Sequence, residues 1–255
     1  MRKPYTFALL HATKGDYNHA LGIRDKWLES SRSPDLIQHV FGFSDDDKSS
    51  VKLKQHCETS NCEYVCIPNA NKLGGTAVDN WNATLEKANA YFYFIIADDL
   101  IPPKHWDKDI WNSIGFAYNS LAVISVDDAS DIRYEMDRIG MRDEKKLRDY
   151  SILPRHPIVS WKWVEKYGRV FHSSYSGIFC DNDIHAEAVF QQSFLFLPNI
   201  KLVHKDISLE KTRQPHTNGE VLYSKENRKT SELNFIKRYG DMEKEYKITP
   251  TGYEN

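Results

Sequence analysis

Apolar and polar positions along the first half of the chain follow a strand-then-helix rhythm. The apolar run from Tyr5 to Leu10 ends at His11-Ala12-Thr13-Lys14-Gly15, after which Tyr17, Ala20, Leu21, Trp27 and Leu28 recur at helical spacing. Leu36 to Phe43 predicts a second strand, stopped by Ser44-Asp45-Asp46-Asp47, and Glu63 to Ile67 a third, stopped by Pro68. Gly74-Gly75-Thr76 then opens a helix whose Ala77, Trp81, Leu85 and Ala88 share one face. Tyr91 to Ala97, the longest apolar run, predicts a fully buried central strand that ends at Asp98-Asp99. Beyond Pro102-Pro103, Trp106, Ile110, Ile114 and Ala117 mark another helix, and Leu121 to Val126 a fifth strand.

This alternation predicts an α/β fold with a mostly parallel central sheet, right-handed crossovers and flanking helices. Such sheets bind ligands beyond the carboxyl ends of their strands. Those ends carry Thr13-Lys14-Gly15, Asp45-Asp46-Asp47 and Asp98-Asp99, so the site is expected there. The second half is less regular. A charged stretch from Asp127 to Asp149 leads to Pro154 and Pro157, then to a short helix from Ser160 to Tyr167 capped by Gly168. A strand is expected at Ser176 to Cys180, a helix at Ile184 to Gln191, short strands at Phe194 to Leu197 and Lys201 to His204, and a helical stretch near Ser231 to Tyr239 within a polar end. No linker separates these parts, so residues 1–255 are expected to form one domain.

Composition narrows the class. With 255 residues, 40% hydrophobic and 27% charged, the chain is globular rather than disordered or collagenous. A net charge of -2 argues against wholesale coating of nucleic acid or an anionic membrane. No apolar run approaches the roughly 20 residues that span a bilayer, and Met1-Arg2-Lys3-Pro4 lacks a signal-peptide core. The expectation is a cytoplasmic protein without membrane contact. Cys57, Cys62 and Cys66, with His56 nearby, lack the paired two-residue gaps of common zinc sites, so they are expected as reduced thiols.

Two adjacent acids directly after a buried strand are hard to explain as packing, because an unpartnered buried carboxylate costs several kcal/mol. Hard divalent cations take carboxylates together with substrate phosphates, which makes Asp98 and Asp99 a candidate metal and diphosphate site. An acid pair that caps the following helix is the alternative. Lys14 reads equally as a nucleotide contact or a solvated loop cation. Asp79 and Asn80 read as exposed or capping residues, and Asp183 as an N-cap for the helix at Ile184.

The order of these features resembles the GT-A nucleotide-sugar glycosyltransferases, especially the family 2 type, over roughly residues 5 to 205. Ile95-Ile96-Ala97-Asp98-Asp99-Leu100-Ile101-Pro102-Pro103, followed by Trp106-Asp107, is similar to the family's metal-binding acidic motif, with Ala97 where many members carry a third acid. The resemblance implies transfer of a hexose or pentose from a nucleotide-diphosphate sugar to an acceptor hydroxyl, with inversion and with Mn or Mg as cofactor. It implies that Asp99 and His204 hold the metal, with imidazole favouring Mn, and that Ala12, Thr13, Lys14, Asp45, Gly75 and Asp98 meet the nucleotide-sugar. Cys180-Asp181-Asn182-Asp183-Ile184 is similar to the segment that carries the family's general base, leaving Asp181 and Asp183 both open for that role, with Cys180 in place of the usual Glu. On this resemblance residues 1–126 form the donor half, 127–205 the acceptor half and 206–255 a polar closing loop and tail, where Lys205, Lys211 and Arg213 would close over the diphosphate. The Gln…Arg-Trp signature of processive synthases is absent.

Two acceptor classes fit: a surface glycan, or a hydroxymethylated pyrimidine in phage DNA. For DNA, residues 201–238 hold nine Lys or Arg against five Asp or Glu. Trp161 and Trp163 suit stacking on a sugar or flipped base, or the core. Alternatives from other classes are a nucleotidyltransferase, for which the loop after the first strand is too poor in Gly, and a catalytically inactive nucleotide-sugar-binding module.

Overall fold

The computed structural model describes residues 3–45, 48–68, 76–140, 143–204 and 225–246. Its elements in chain order are β1 (Tyr5–Ala12), α1 (Tyr17–Glu29), β2 (Ile37–Ser44), α2 (Lys48–Ser60), β3 (Glu63–Ile67), α3 (Ala77–Thr84) and β4 (Ala90–Ile96). There follow β5 (Leu100–Ile101), α4 (Trp106–Ile114), β6 (Val123–Asp127), α5 (Ser130–Ile139), α6 (Glu144–Ile152), β7 (Ile158–Ser160), α7 (Trp161–Tyr167), α8 (Cys180–Phe190), β8 (Phe194–Lys201), β9 (Val203–His204) and α9 (Lys225–Tyr246). A seven-stranded sheet runs in the order β3-β2-β1-β4-β7-β6-β8.

Both faces of the sheet are covered at its centre, which is why β4 reads as an unbroken apolar run. Phe7, Leu9, Phe92, Phe94 and Ile96 point to one face and pack with Trp27 of α1 and Trp106 and Ile110 of α4. Ala8, Leu10, Tyr93 and Ile95 point to the other and pack with Val78, Trp163, Ile184 and Phe235. Helix α3 lies so close to β2 that a Cβ on Gly42 would sit 2.3 Å from the Asn80 carbonyl oxygen, so only glycine fits there. The start of α3 is a capping box: the Thr76 hydroxyl accepts from the Asp79 N–H, and the Asp79 carboxylate accepts from the Thr76 N–H. That settles Asp79 as a capping residue, while Asn80 is buried.

Strand direction decides what reaches the site. β1, β2, β3 and β4 are parallel, and so are β6 and β8, but β7 runs antiparallel to both β4 and β6. The chain therefore enters β7 at the carboxyl ends of its neighbours and leaves at the far end. This puts Arg155 and His156 at the site edge. It puts Trp161 and Trp163, which follow β7, at the opposite edge, where Trp163 is buried in the core.

Elsewhere the structure departs from expectation. Ser176 to Cys180 is a turn rather than a strand, and α8 begins at Cys180, whose thiol folds back onto the Gly177 carbonyl at 2.8 Å. A five-residue apolar run does not discriminate strand from helix, and tertiary contacts decided it. With the helix starting four residues earlier than expected, Asp183 lies inside its first turn and is not its N-cap. Leu202 interrupts the expected Lys201–His204 strand, and Val203–His204 instead joins a separate two-stranded sheet with β5. The charged stretch after Asp127 contains α5 and α6. The cysteines are free, and no helix among the described residues is long and apolar enough to cross a membrane.

Candidate functional site

The turn that carries the acid pair is clamped at both ends by indoles from the core. Trp81 of α3 donates its ring N–H to the Ile96 carbonyl at 2.9 Å, and Trp27 of α1 donates to the Leu100 carbonyl at 2.9 Å. A buried indole N–H usually finds an acceptor, and here this pair of bonds fixes Ala97-Asp98-Asp99 in space. From this turn the two carboxylates face different clusters.

Asp98 turns toward β1 and α1. Its Oδ1 lies 3.0 Å from His11 Nε2, its Oδ2 accepts from the Thr13 hydroxyl at 2.8 Å, and its backbone carbonyl oxygen lies 2.8 Å from His19 Nε2. Behind it, His11 Nδ1 lies 3.0 Å from His39 Nε2. Burial, followed by the charges of His11 and Arg24, drives the His39 pKa well below its ordinary value, so His39 is neutral. Its Nδ1 is buried with no hydrogen-bond partner. His11 thus links His39 to Asp98 through its two ring nitrogens.

Asp99 turns the other way, toward β7 and β9. Pairing of β5 with β9 sets Leu100 opposite His204, and His204 Nε2 comes within 3.3 Å of Asp99 Oδ2. The second carboxylate oxygen, Oδ1, is buried with no partner. Ligand atoms of Asp99, His156 and His204 lie within 4.8 Å of one another, and this is the one such cluster suited to a metal ion among the described residues. Burial disfavours the charge on Asp99, but the hydrogen bond and charge of His204, with the charge of His156, hold its carboxyl below the ordinary range. Burial likewise disfavours charge on His204, yet Asp99 raises its pKa above the ordinary value.

Behind this cluster lies a buried ionic network. Asp128 Oδ2 sits 2.6 Å from His156 Nδ1, and Asp128 Oδ1 accepts from Arg155 Nε at 3.0 Å. Arg155 also forks onto Asp131 with contacts of 2.9 and 3.0 Å. Burial opposes the Asp128 charge, but the Arg155 guanidinium and the bond from His156 outweigh it and hold that carboxyl down at about 2. The network is anchored to β9 as well, because the His204 N–H donates to the Ser130 hydroxyl at 2.7 Å.

The two candidate bases on α8 have different surroundings. Asp183 is buried, forms an ion pair with Arg238 Nε of α9 at 2.8 Å, and its pKa is raised by burial despite that charge. Burial also raises Asp181, partly offset by the Asn182 N–H and by the charge of Arg155, while Asp128 pushes it further up. The charges of Arg155 and Asp128 thus reach Asp181. Phe179, just before α8, is held at φ 68°, a conformation a bulky side chain avoids without support.

Of the remaining expected residues, Ala12 closes β1 opposite Gly42, and Thr13 and partly buried Lys14 follow in the turn. Asp45 is exposed beyond β2, at a cleft of about 330 Å³ lined also by Ser50, Lys54, Glu58 and Cys66. Gly75, with Gly74, Lys205, Lys211 and Arg213, lies outside the described residues. Sequence reasoning missed His11, His19, His39, His156, Asp128 and Arg155. The only available signal was a buried-strand histidine at His11 and the Arg-His pair between Pro154 and Pro157.

A sheet of this strand order, with an acid pair at the end of β4 and a histidine returned to it by β9, is the GT-A fold. Solved structures that share it include Staphylococcus aureus TarS residues 1–349, with a TM-score of 0.55 and 11% identity over 78% of this chain and 60% of that one. Another is glucosyl-3-phosphoglycerate synthase from Mycobacterium tuberculosis in complex with Mn2+, UDP and phosphoglyceric acid, at 0.55 and 10% over 92% of this chain and 79% of that one. A third is the mannosyltransferase PcManGT from Pyrobaculum calidifontis in complex with GDP-Man and Mn2+, at 0.52 and 11% over 94% and 76%. The chain thus spans less than two thirds of the TarS chain. No family model and no curated protein sequence matches it.

Proposed function

We propose that this protein is a glycosyltransferase that moves a sugar from a nucleotide-diphosphate donor to an acceptor hydroxyl, with a divalent cation and with inversion at the anomeric carbon. The observation that carries the proposal is the divided acid pair: Asp98 held by His11 and Thr13, and Asp99 set 3.3 Å from His204, at the carboxyl edge of the sheet. Its support is the fold shared with two enzymes whose solved structures contain Mn2+ with UDP or GDP-Man.

The residues fit a cation on chemical grounds. A buried carboxylate oxygen without a partner beside two imidazoles is a set of donors waiting for an acceptor. Asp99 and His204 would hold the ion, which when bound neutralises charge that builds on the departing diphosphate. Ala12, Thr13, Lys14, Gly75 and Asp98 would meet the donor, with Asp45 and its cleft toward the base of the nucleotide. Asp181 would take the proton of the acceptor hydroxyl as its oxygen bonds to the anomeric carbon and the bond to the diphosphate breaks. Asp183, whose carboxylate is already paired with Arg238, would act by fixing α9 against α8. The acceptor is either a surface glycan or a hydroxymethylated pyrimidine in DNA, the latter resting on the basic excess of residues 201–238.

The test is release of nucleoside diphosphate from a panel of nucleotide sugars with Mn, Mg or chelator, with and without hydroxymethylated DNA. Metal-dependent release is expected, and a sugar-sized mass gain on DNA would select the DNA acceptor. Binding of donors without release would leave an inactive binding module, and incorporation of the nucleotide would indicate a nucleotidyltransferase.

A further inference from the structure

We propose that His156 is a third protein ligand of the cation, positioned by Asp128, so that the chain takes up a transition-type ion before any nucleotide is present. The inference rests on the proposed transferase reading for what the ion does, and on geometry alone for how it is held.

The geometry starts with β7. Its reversed direction brings His156, which is buried, from the entry of the strand to the edge where Asp99 and His204 meet. Its ring stands edge-on to that of His204, with centroids 5.1 Å apart. Asp128 accepts from His156 Nδ1 at 2.6 Å, which leaves Nε2 as the ring nitrogen available to an ion. Metal-bound histidines are held in the same way, with the other ring nitrogen donating to a carboxylate that fixes the tautomer and raises ligand basicity. His204 differs: Nε2 faces Asp99, while Nδ1 is buried without a hydrogen-bond partner, 3.6 Å from Asp131 Oδ2. Arg155 bridges Asp128 and Asp131, so one guanidinium sets both supporting carboxylates.

A structural role for the His156–Asp128 pair alone leaves one observation unexplained. It gives no reason for Asp99 Oδ1 to stay buried and unpartnered beside them. The separation of 3.3 Å between His204 Nε2 and Asp99 Oδ2 is close to the spacing of about 3 Å between neighbouring ligands that each lie roughly 2.1 Å from one ion. Two imidazoles and one carboxylate favour Mn, Co or Zn over Mg, whose preference is for oxygen.

The experiment is a titration of the full-length chain with Mn(II), read by the electron paramagnetic resonance of the free ion, with no nucleotide sugar present. Uptake of one ion, with Mn preferred over Mg by at least about tenfold, is expected. His156→Ala should weaken Mn binding by more than tenfold and shrink that preference, and Asp128→Asn should weaken it by about tenfold. Unchanged Mn affinity in a folded His156→Ala variant overturns the proposal. Should the variants not fold, the wild-type chain decides: Zn(II) added to histidine-15N-labelled protein should shift Nε2 of both His156 and His204. A shift at His204 alone, or at neither, rejects the third ligand. A protein that binds Mn through both histidines but releases nothing from any donor would keep this inference and defeat the transferase reading.

Discussion

Asp98 and Asp99 are neighbours in the chain, yet they belong to two regions of opposite character. On the Asp98 side both carboxylate oxygens and the backbone carbonyl are engaged, and the chain of hydrogen bonds through His11 ends on a neutral His39. On the Asp99 side one carboxylate oxygen is unpartnered and two imidazole nitrogens face it. A saturated cluster has nothing left to give a ligand except its shape and its charge. An unsaturated one has paid the desolvation cost in advance and recovers it only when something binds. The difference separates a region that orients from a region that ligates.

The sharpest way to break this contrast is to remove each carboxylate charge in turn. Asp99→Asn should abolish Mn uptake and lower metal-dependent nucleoside diphosphate release by about 10³-fold or more, on the scale of electrostatic stabilisation lost at a leaving group. Asp98→Asn should leave Mn uptake intact and act mainly on donor binding. Titration of each variant with Mn, followed by donor kinetics, reads both. Equal loss of metal binding in the two variants would erase the distinction between the regions.

The next effect tests whether the metal side also includes the base. Asp181→Asn should reduce kcat by about 10² to 10⁴-fold, the usual contribution of a general base, without changing Mn affinity. Because burial raises the Asp181 pKa, its charge at neutral pH costs folding free energy. The same variant should therefore melt at a higher temperature than the wild type. In the wild type, release should fall with decreasing pH at a point above the ordinary carboxylate range. An Asp183→Asn variant loses a carboxylate whose pKa burial also raises despite Arg238, so it too should melt no lower than the wild type, and it should show the smaller loss of kcat. Calorimetry and a pH profile on both variants separate the roles.

The division between the regions also marks what the sequence revealed. The acid pair stood out because polar residues after a seven-residue apolar strand have no packing explanation, and the parallel core was legible at β1 and β4 because both faces are buried and each is a mostly apolar run. His204 was reached through the family resemblance and now lies beside Asp99. His156 and Asp128 were hidden for a physical reason. β7 is three residues long, follows Pro157, and shows no periodicity, so neither its existence nor its reversed direction could be read. His11 and His39 were hidden in the opposite way, each inside an otherwise apolar strand where a hydrogen-bonded histidine is indistinguishable from filler.

A smaller effect is expected when the saturated side is loosened without touching its acid. His11→Phe keeps an aromatic ring against Phe41 but takes away the donor to Asp98. Asp98 then keeps the Thr13 bond and gains freedom to rotate. The donor KM should rise by about tenfold, the worth of a bond to a charged group, while kcat and Mn affinity stay near wild type. A rise in the Mn dissociation constant instead would mean that the two regions are one.

The smallest effect separates acid sensitivity of the site from that of the fold. His185 shares α8 with Asp181 but packs tilted against the Phe194 ring, and burial alone lowers its pKa to about 4. A depressed histidine contributes stability that is fully present above its unfolded value near 6.5 and is lost as pH falls through 4. That loss amounts to at most about 3.5 kcal/mol at one pKa unit per 1.4 kcal/mol. Replacing it with leucine, His185→Leu, should flatten the fall in melting temperature between pH 6.5 and 4 and leave the acid limb of nucleoside diphosphate release unmoved, because that limb belongs to Asp181. If the activity limb moves with His185, the pH dependence of release reports unfolding of α8 and no longer identifies a base.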